Sequence, residues 1–216
     1  MHPCTLVLLL PLAACGETLW RSAIDNAVSE AMDSVVEYVA PIVAPLEDLP
    51  EPDGRALRLT VGRRTTPAVL LQELGERRLW RTSAGVVVAT EGGRVTATSG
   101  LRQMLAATRF EGPDPLAHPA VLLDRPAAAR RLVDLMAADR APEWMRFGVA
   151  LDCRLRAERT TEPEVLLVSE RCRTRGSFGF TNRFWVEADS GAVLRAEQWV
   201  GPGVPMLVLD FLSPAS

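Results

Sequence analysis

Residues 152–173 read DCRLRAERTTEPEVLLVSERCR, and their symmetry decides the fold class. If Cys153 and Cys172 face each other across two antiparallel strands, paired positions sum to 325, which puts the turn between residues 162 and 163. Glu162-Pro163 stands there, and proline suits a turn and not the middle of a ladder. Register and turn therefore agree independently. Side chains alternate along a strand, so the neighbours of each cysteine point the other way. Asp152, Arg154, Arg156 and Glu158 then share one face with Arg171, Arg173 and Arg175. Arg173 opposes Asp152, an expected ion pair. Arg154 opposes Arg171, which is unfavourable on a bare sheet. The five arginines are either a solvated face with counterions or an anion site. Guanidinium forks suit carboxylate or phosphate, so an acidic polysaccharide or a lipid headgroup is the expected ligand class.

Outward from this hairpin the chain remains strand-like. Asn182–Glu187, a turn at Asp189-Ser190-Gly191 and Ala192–Val200 predict a second hairpin, and Met206–Leu212 a last strand. Upstream, Arg55–Val61 alternates, and Ala68–Leu74 is an apolar run. Leu79–Ser83, Gly85–Thr90, the turn Glu91-Gly92-Gly93 and Arg94–Thr98 again read as hairpin. Trp185 and Trp199 are expected in the core. Leu101–Arg109 reads as a short helix or an irregular crossover. Ala127–Ala138 has helical composition, with Leu132, Leu135 and Met136 on one side. The sum is a mainly β domain over residues 55–216, an antiparallel barrel or sandwich.

The N-terminal quarter reads differently. Residues 1–14 carry no charged side chain, and Leu6–Leu12 is a short apolar run, well under the about 20 residues a spanning helix needs. No basic residue precedes the run. Leu12-Ala13-Ala14-Cys15-Gly16 resembles the bacterial lipobox. That resemblance implies a signal peptide over 1–14, acylation (palmitate-type) at Cys15 and, with Gly16 next, outer-membrane sorting; a plain secretory signal is the alternative. Residues 15–54 would then be a tether. Leu19, Ala23, Ile24, Ala27, Val28, Ala31, Val35 and Val39 mark an amphipathic helix over 19–40. Pro41, Pro45, Pro50 and Pro52 follow it as a linker.

Composition excludes several functions. Of 216 residues 48% are apolar and 24% charged, so the chain is globular. The net charge of −3 gives no global field for nucleic acid. All 24 basic residues are arginine, which removes lysine Schiff-base and P-loop chemistry. Of four cysteines, Cys4 would leave with the leader and Cys15 would be the lipid site, as the lipobox resemblance implies. Cys153 and Cys172 are left in an exported, oxidising setting, where a disulfide is expected, two free buried thiols being the alternative. No metal, cofactor or catalytic residue is expected, because the other candidate ligand, His118, sits in the loop sequence Ala117-His118-Pro119.

Several segments read together. Trp80-Arg81-Thr82-Ser83-Ala84-Gly85 precedes Gly93-Arg94-Val95 and Thr98-Ser99-Gly100-Leu101, and Arg131-Leu132-Val133-Asp134 follows. Then come Asn182-Arg183-Phe184-Trp185-Val186-Glu187, Ser190-Gly191 and Arg195-Ala196-Glu197-Gln198. This order resembles the YjbF/GfcB family of exopolysaccharide and group 4 capsule lipoproteins, over roughly residues 55–212. The resemblance implies a barrel-like periplasmic domain, an outer-membrane lipid anchor facing the periplasm, and a non-enzymatic accessory role in polysaccharide production or export. Its partners would be polysaccharide or outer-membrane export components. It supplies no catalytic residues. Two alternatives differ in what they require. A lipid or lipoprotein carrier needs a large apolar cavity. A polysaccharide-modifying enzyme needs paired carboxylates, for which Asp124, Asp134, Asp152 and Glu187 are the candidates.

Overall fold

The computed structural model describes residues 56–174 and 179–212. The leader, Cys15, the 19–40 helix, its linker and Arg175 lie outside the described residues.

Twelve strands are found among the described residues. The first six are β1 (Ala56–Val61), β2 (Arg64–Leu74), β3 (Arg77–Thr82), β4 (Val87–Glu91), β5 (Arg94–Ser99) and β6 (Gln103–Phe110). A 3₁₀ turn (Pro115–Ala117) and a single-turn helix α1 (Val121–Asp124) intervene. Then follow β7 (Ala127–Ala137), β8 (Arg146–Arg159), β9 (Val165–Thr174), β10 (Gly179–Glu187), β11 (Val193–Gln198) and β12 (Leu207–Leu212). Every pairing is antiparallel. The order β5-β4-β3-β2-β1-β12-β11-β10-β9-β8-β7-β6 leaves as outer strands two that are consecutive in sequence. They meet through Leu105 N–H, which donates to Thr98 Oγ1 at 3.0 Å. The sheet is thus a nearly closed barrel.

Alternate residues fill its interior. Leu57, Leu59, Leu151, Leu155, Phe184, Leu207 and Leu209 are buried almost completely. Each such side chain contributes roughly 1.5–3 kcal/mol relative to exposure. Gln198 ties β11 to β5 across the interior, accepting from Val95 N–H and donating to Gly93 C=O, both at 3.0 Å.

The cysteine hairpin has the expected register, with Cys153 opposite Cys172 and Arg154 opposite Arg171. The hairpins at 79–98 and 182–198 are also present. Ala127–Ala138 is not a helix. Residues 127–137 form β7, and 103–110 form β6 in place of a helix or crossover. Alanine prefers a helix by only tenths of a kcal/mol per residue. Two flanking ladders and the inward burial of Arg131, Val133 and Leu135 outweigh that preference. Trp144 closes a 3₁₀ turn and is exposed; β8 begins at Arg146. Trp199 is in the core, stacked on Phe180 at 4.4 Å between centroids. Trp185, expected beside it, is half-buried on the outer face, with the Arg195 guanidinium 5.3 Å from its ring centre.

Candidate functional site

Strands β8 and β9 carry Arg154, Arg156, Arg171 and Arg173 on the solvent side, all exposed. Arg156 is held by Glu158 at 3.2 Å. Asp152 stands opposite Arg173 in the ladder, but its ion-pair partner is Arg130 on β7, at 3.7 Å, not Arg173. Arg130 also bonds Glu111 at 3.3 Å. Arg154, Arg171 and Arg173 therefore have no salt bridge among the described residues. Next in the Arg154–Arg171 row stand Ala128 on β7 and Thr181 on β10, neither of which offers a counter-charge.

The opposite face of the same hairpin holds a second charged group. Glu170 shares its side with Cys172 and is fully buried. Its Oε2 accepts from Arg94 Nη1 at 3.0 Å and Asn182 Nδ2 at 2.6 Å, and lies 3.5 Å from Arg131 Nη2. Arg94 also forks onto Asp114, with Nε–Oδ2 at 2.6 Å and Nη2–Oδ1 at 3.1 Å. Its guanidinium lies 5.0 Å from the ring centre of Phe110 and 4.9 Å from that of Phe184. Asn182 Oδ1 accepts from Trp199 N–H at 2.8 Å. Burial opposes the charge on Glu170, but the guanidiniums of Arg94 and Arg131 and the Asn182 amide outweigh it and hold the carboxyl below its ordinary range. Burial likewise opposes the charge on Arg94, and Glu170 with Asp114 raises its pKa despite this. For Arg131 burial wins, and its pKa is lowered.

The residue-by-residue reading missed this cluster. A signal was present, because the 325 register puts Glu170 on the buried cysteine face. Arg94, Arg131, Asn182 and Gln198 all stand in the segments that carried the family resemblance.

Cys153 and Cys172 form a disulfide, with Cα atoms 4.0 Å apart. Their sulfurs and a Glu170 oxygen lie within 4.8 Å of one another. The S–S bond leaves no thiolate there to ligate a metal. The carboxylates named as an acid/base set are spread over separate elements. Asp134 accepts from Gly148 N–H at 2.7 Å and pairs with Arg109 at 3.4 Å. Glu187 accepts from Ser190 Oγ. Asp124 is exposed at the end of α1, and Asp152 is on β8. His118 follows the 3₁₀ turn, in the loop where the sequence placed it, and lines a cleft of about 770 Å³ beside the start of β7.

No curated protein matches the sequence. The crystal structure of the hypothetical lipoprotein YmcC from Escherichia coli (K12) is similar, with a TM-score of 0.62 and 22% identity. The match covers 79% of this chain and 88% of that one, and at this identity it shows the fold alone. The family described as group 4 capsule polysaccharide lipoprotein GfcB, YjbF matches residues 44–212. The chain, matched over this span, belongs to the YjbF family of group 4 capsule polysaccharide lipoproteins.

Proposed function

We propose that this lipoprotein is a non-enzymatic accessory of capsule or exopolysaccharide production or export. Cys15 anchors it by acyl chains to the outer membrane, facing the periplasm, and residues 15–54 tether the β domain. The outer arginine face binds anionic glycan. The observation that carries this reading is Arg154 opposite Arg171, with Arg173 beside them and no salt bridge to any of the three among the described residues. Like charges across a ladder cost a few tenths of a kcal/mol or more. An acidic glycan replaces that repulsion with charge-assisted hydrogen bonds. Arg175 follows Arg173 at the same two-residue spacing in the sequence. The filled barrel interior supports an accessory over a carrier, because Phe184, Leu57, Leu209 and the Arg94 cluster occupy the space an acyl chain would need.

The test is titration of a polyuronate oligosaccharide at low and physiological ionic strength. Wild type is compared with Arg154→Gln/Arg171→Gln/Arg173→Gln. Exposed contacts are screened over about 8–10 Å, so binding should be weak and salt-sensitive, and the variant should lose roughly tenfold in affinity. Equal binding by both proteins, or indifference to salt, would remove the arginine face from the function.

A further inference from the structure

Among the described residues the aromatic rings most open to solvent are Trp144 at 55% and Phe147 at 70%, where β7 passes to β8. Single exposed apolar residues are ordinary, but Phe147 is out of place. The inward positions of β8 are odd-numbered, and Leu151, Cys153, Leu155 and Ala157 are all buried. Alternation would bury Phe147 with them. A bulge prevents it. Val133 pairs with Val149 and Leu135 with Arg146, so Phe147 and Gly148 together stand opposite Asp134. Gly148 takes φ 62, and its N–H donates to Asp134 Oδ1 at 2.7 Å. Arg109 on β6 holds Asp134 in turn, at 3.4 Å. Bulges re-aim side chains, and they gather at barrel rims and beside functional sites.

The two rings lie in line with the arginine face. Between Phe147 and Arg154 the outward positions of β8 are Gly148, Ala150 and Asp152. Two are small, and Asp152 is paired with Arg130 at 3.7 Å. The path is roughly 20 Å long at about 3.3 Å per residue. Arg146, between the rings in sequence, is exposed and has no ion pair among the described residues. Glu143 is exposed on the same turn, so charge alone selects nothing there. Strand directions alternate from β1 through β12, β11, β10 and β9 to β8. The start of β8 is therefore at the end of the barrel opposite Ala56, where the preceding chain joins.

We infer that Trp144 and Phe147 are a stacking platform for sugar rings, continuous along β8 with the glycan site at Arg154, Arg171 and Arg173. The platform rests on reading the arginine face as that site, and it narrows the ligand. The ligand is an acidic oligosaccharide long enough to lie along β8 from the guanidiniums to the rings. The C–H face of a pyranose is apolar and slightly positive, and it matches the negative face of an aromatic ring. Its hydroxyls project sideways into water, so no polar group is left dry. A second copy of the chain is a poorer occupant. Two aromatic side chains bring at most about 300–500 Å², short of the about 800 Å² per partner of a standard interface. A lipid surface is poorer too, because the rings are at the end of the barrel away from the point where residues 15–54 join.

The probe is a polyuronate octasaccharide, titrated into the full chain carrying Cys15→Ala, so that no acyl anchor masks the surface. Trp144→Leu/Phe147→Leu should lose about tenfold in affinity and keep the salt dependence that the arginines confer. Trp144→Phe, which keeps a ring, should retain most of the affinity. Trp144→Leu, which keeps only apolar area, should not. Sugar C–H resonances should move upfield on binding, through the ring currents of Trp144 and Phe147, and the double variant should abolish that shift. A lowered melting temperature in the double variant would mean that the rings pack on the protein itself, and the comparison of Trp144→Phe with Trp144→Leu then decides. Equal affinity of the leucine variants and wild type, with binding still lost in Arg154→Gln/Arg171→Gln/Arg173→Gln, would overturn the platform and leave the arginine face standing. No binding by the Cys15→Ala chain would overturn both. Self-association or adhesion to neutral-lipid vesicles that the double variant abolishes, with octasaccharide affinity unchanged, would assign the rings to a second copy or a lipid surface and overturn the platform as well.

Discussion

Arg94 on β5 donates to Glu170 on β9 across the barrel interior at 3.0 Å, between residues 76 apart in sequence. Both are almost wholly buried, and Arg131 is buried beside them. A buried pair is weak evidence of stability, because desolvating both ions offsets their attraction. Removing one partner is another matter, since the remaining charge has no water to return to.

Glu170→Gln should therefore lower unfolding free energy by about 3–5 kcal/mol at neutral pH. Chemical denaturation measures it. The pH dependence follows from the lowered carboxyl pKa of the folded state. Below the unfolded carboxylate value of about 4.3 the unfolded chain binds the proton while the folded chain resists it. The stability Glu170 contributes is thus fully present above that value and is lost as pH falls toward the folded one. Wild type should show this acid loss, and Glu170→Gln should show a shallower one. Parallel acid profiles would mean Glu170 is not charged in the folded protein.

The disulfide spans 19 positions of a hairpin. Cys153→Ala/Cys172→Ala should lower stability by about 3 kcal/mol, as the loop-entropy model gives for a closure of this size. The register should survive, because Leu151, Leu155 and Val168 still need burial on that face. A free-thiol assay on the unreduced exported protein should find neither cysteine of this hairpin reactive.

Gly93 turns with φ +80, and a Cβ there would lie 2.4 Å from Val193 Cβ. Gly75 has φ +63 with nothing within 4 Å. Gly75→Ala should cost only the left-handed backbone penalty, about 1–2 kcal/mol. Gly93→Ala adds overpacking against β11, a further 1–3 kcal/mol or so. It also strains the Gln198 bond to Gly93 C=O. Thermal melts of the two variants should separate clearly; equal losses would mean that β5 and β11 do not pack as closely as described.

Lipidation at Cys15 should appear as acyl mass on the N-terminal peptide of the processed protein, and Cys15→Ala should move the protein from the membrane to the soluble fraction. Several acyl chains at about 0.8 kcal/mol per CH₂ make the anchor effectively permanent, so partial release by salt is not expected.

What the amino-acid order determined by itself was local. The cysteine hairpin could be registered because two cysteines and one proline overdetermine a ladder whose period is two. Short hairpins such as 79–98 were legible from strand-like runs on either side of Gly92-Gly93, which supply positive φ where the chain turns. Tertiary structure decided the rest. Residues 127–137 have the composition of a helix and become a strand only because β6 and β8 lie on either side. Arg94, Asp114, Arg131, Glu170 and Asn182 come from separate elements, and no spacing in the sequence predicts their meeting. They converge because closing a twelve-strand sheet turns one face of every strand toward a common interior, where a charge must find its partner or remain uncompensated.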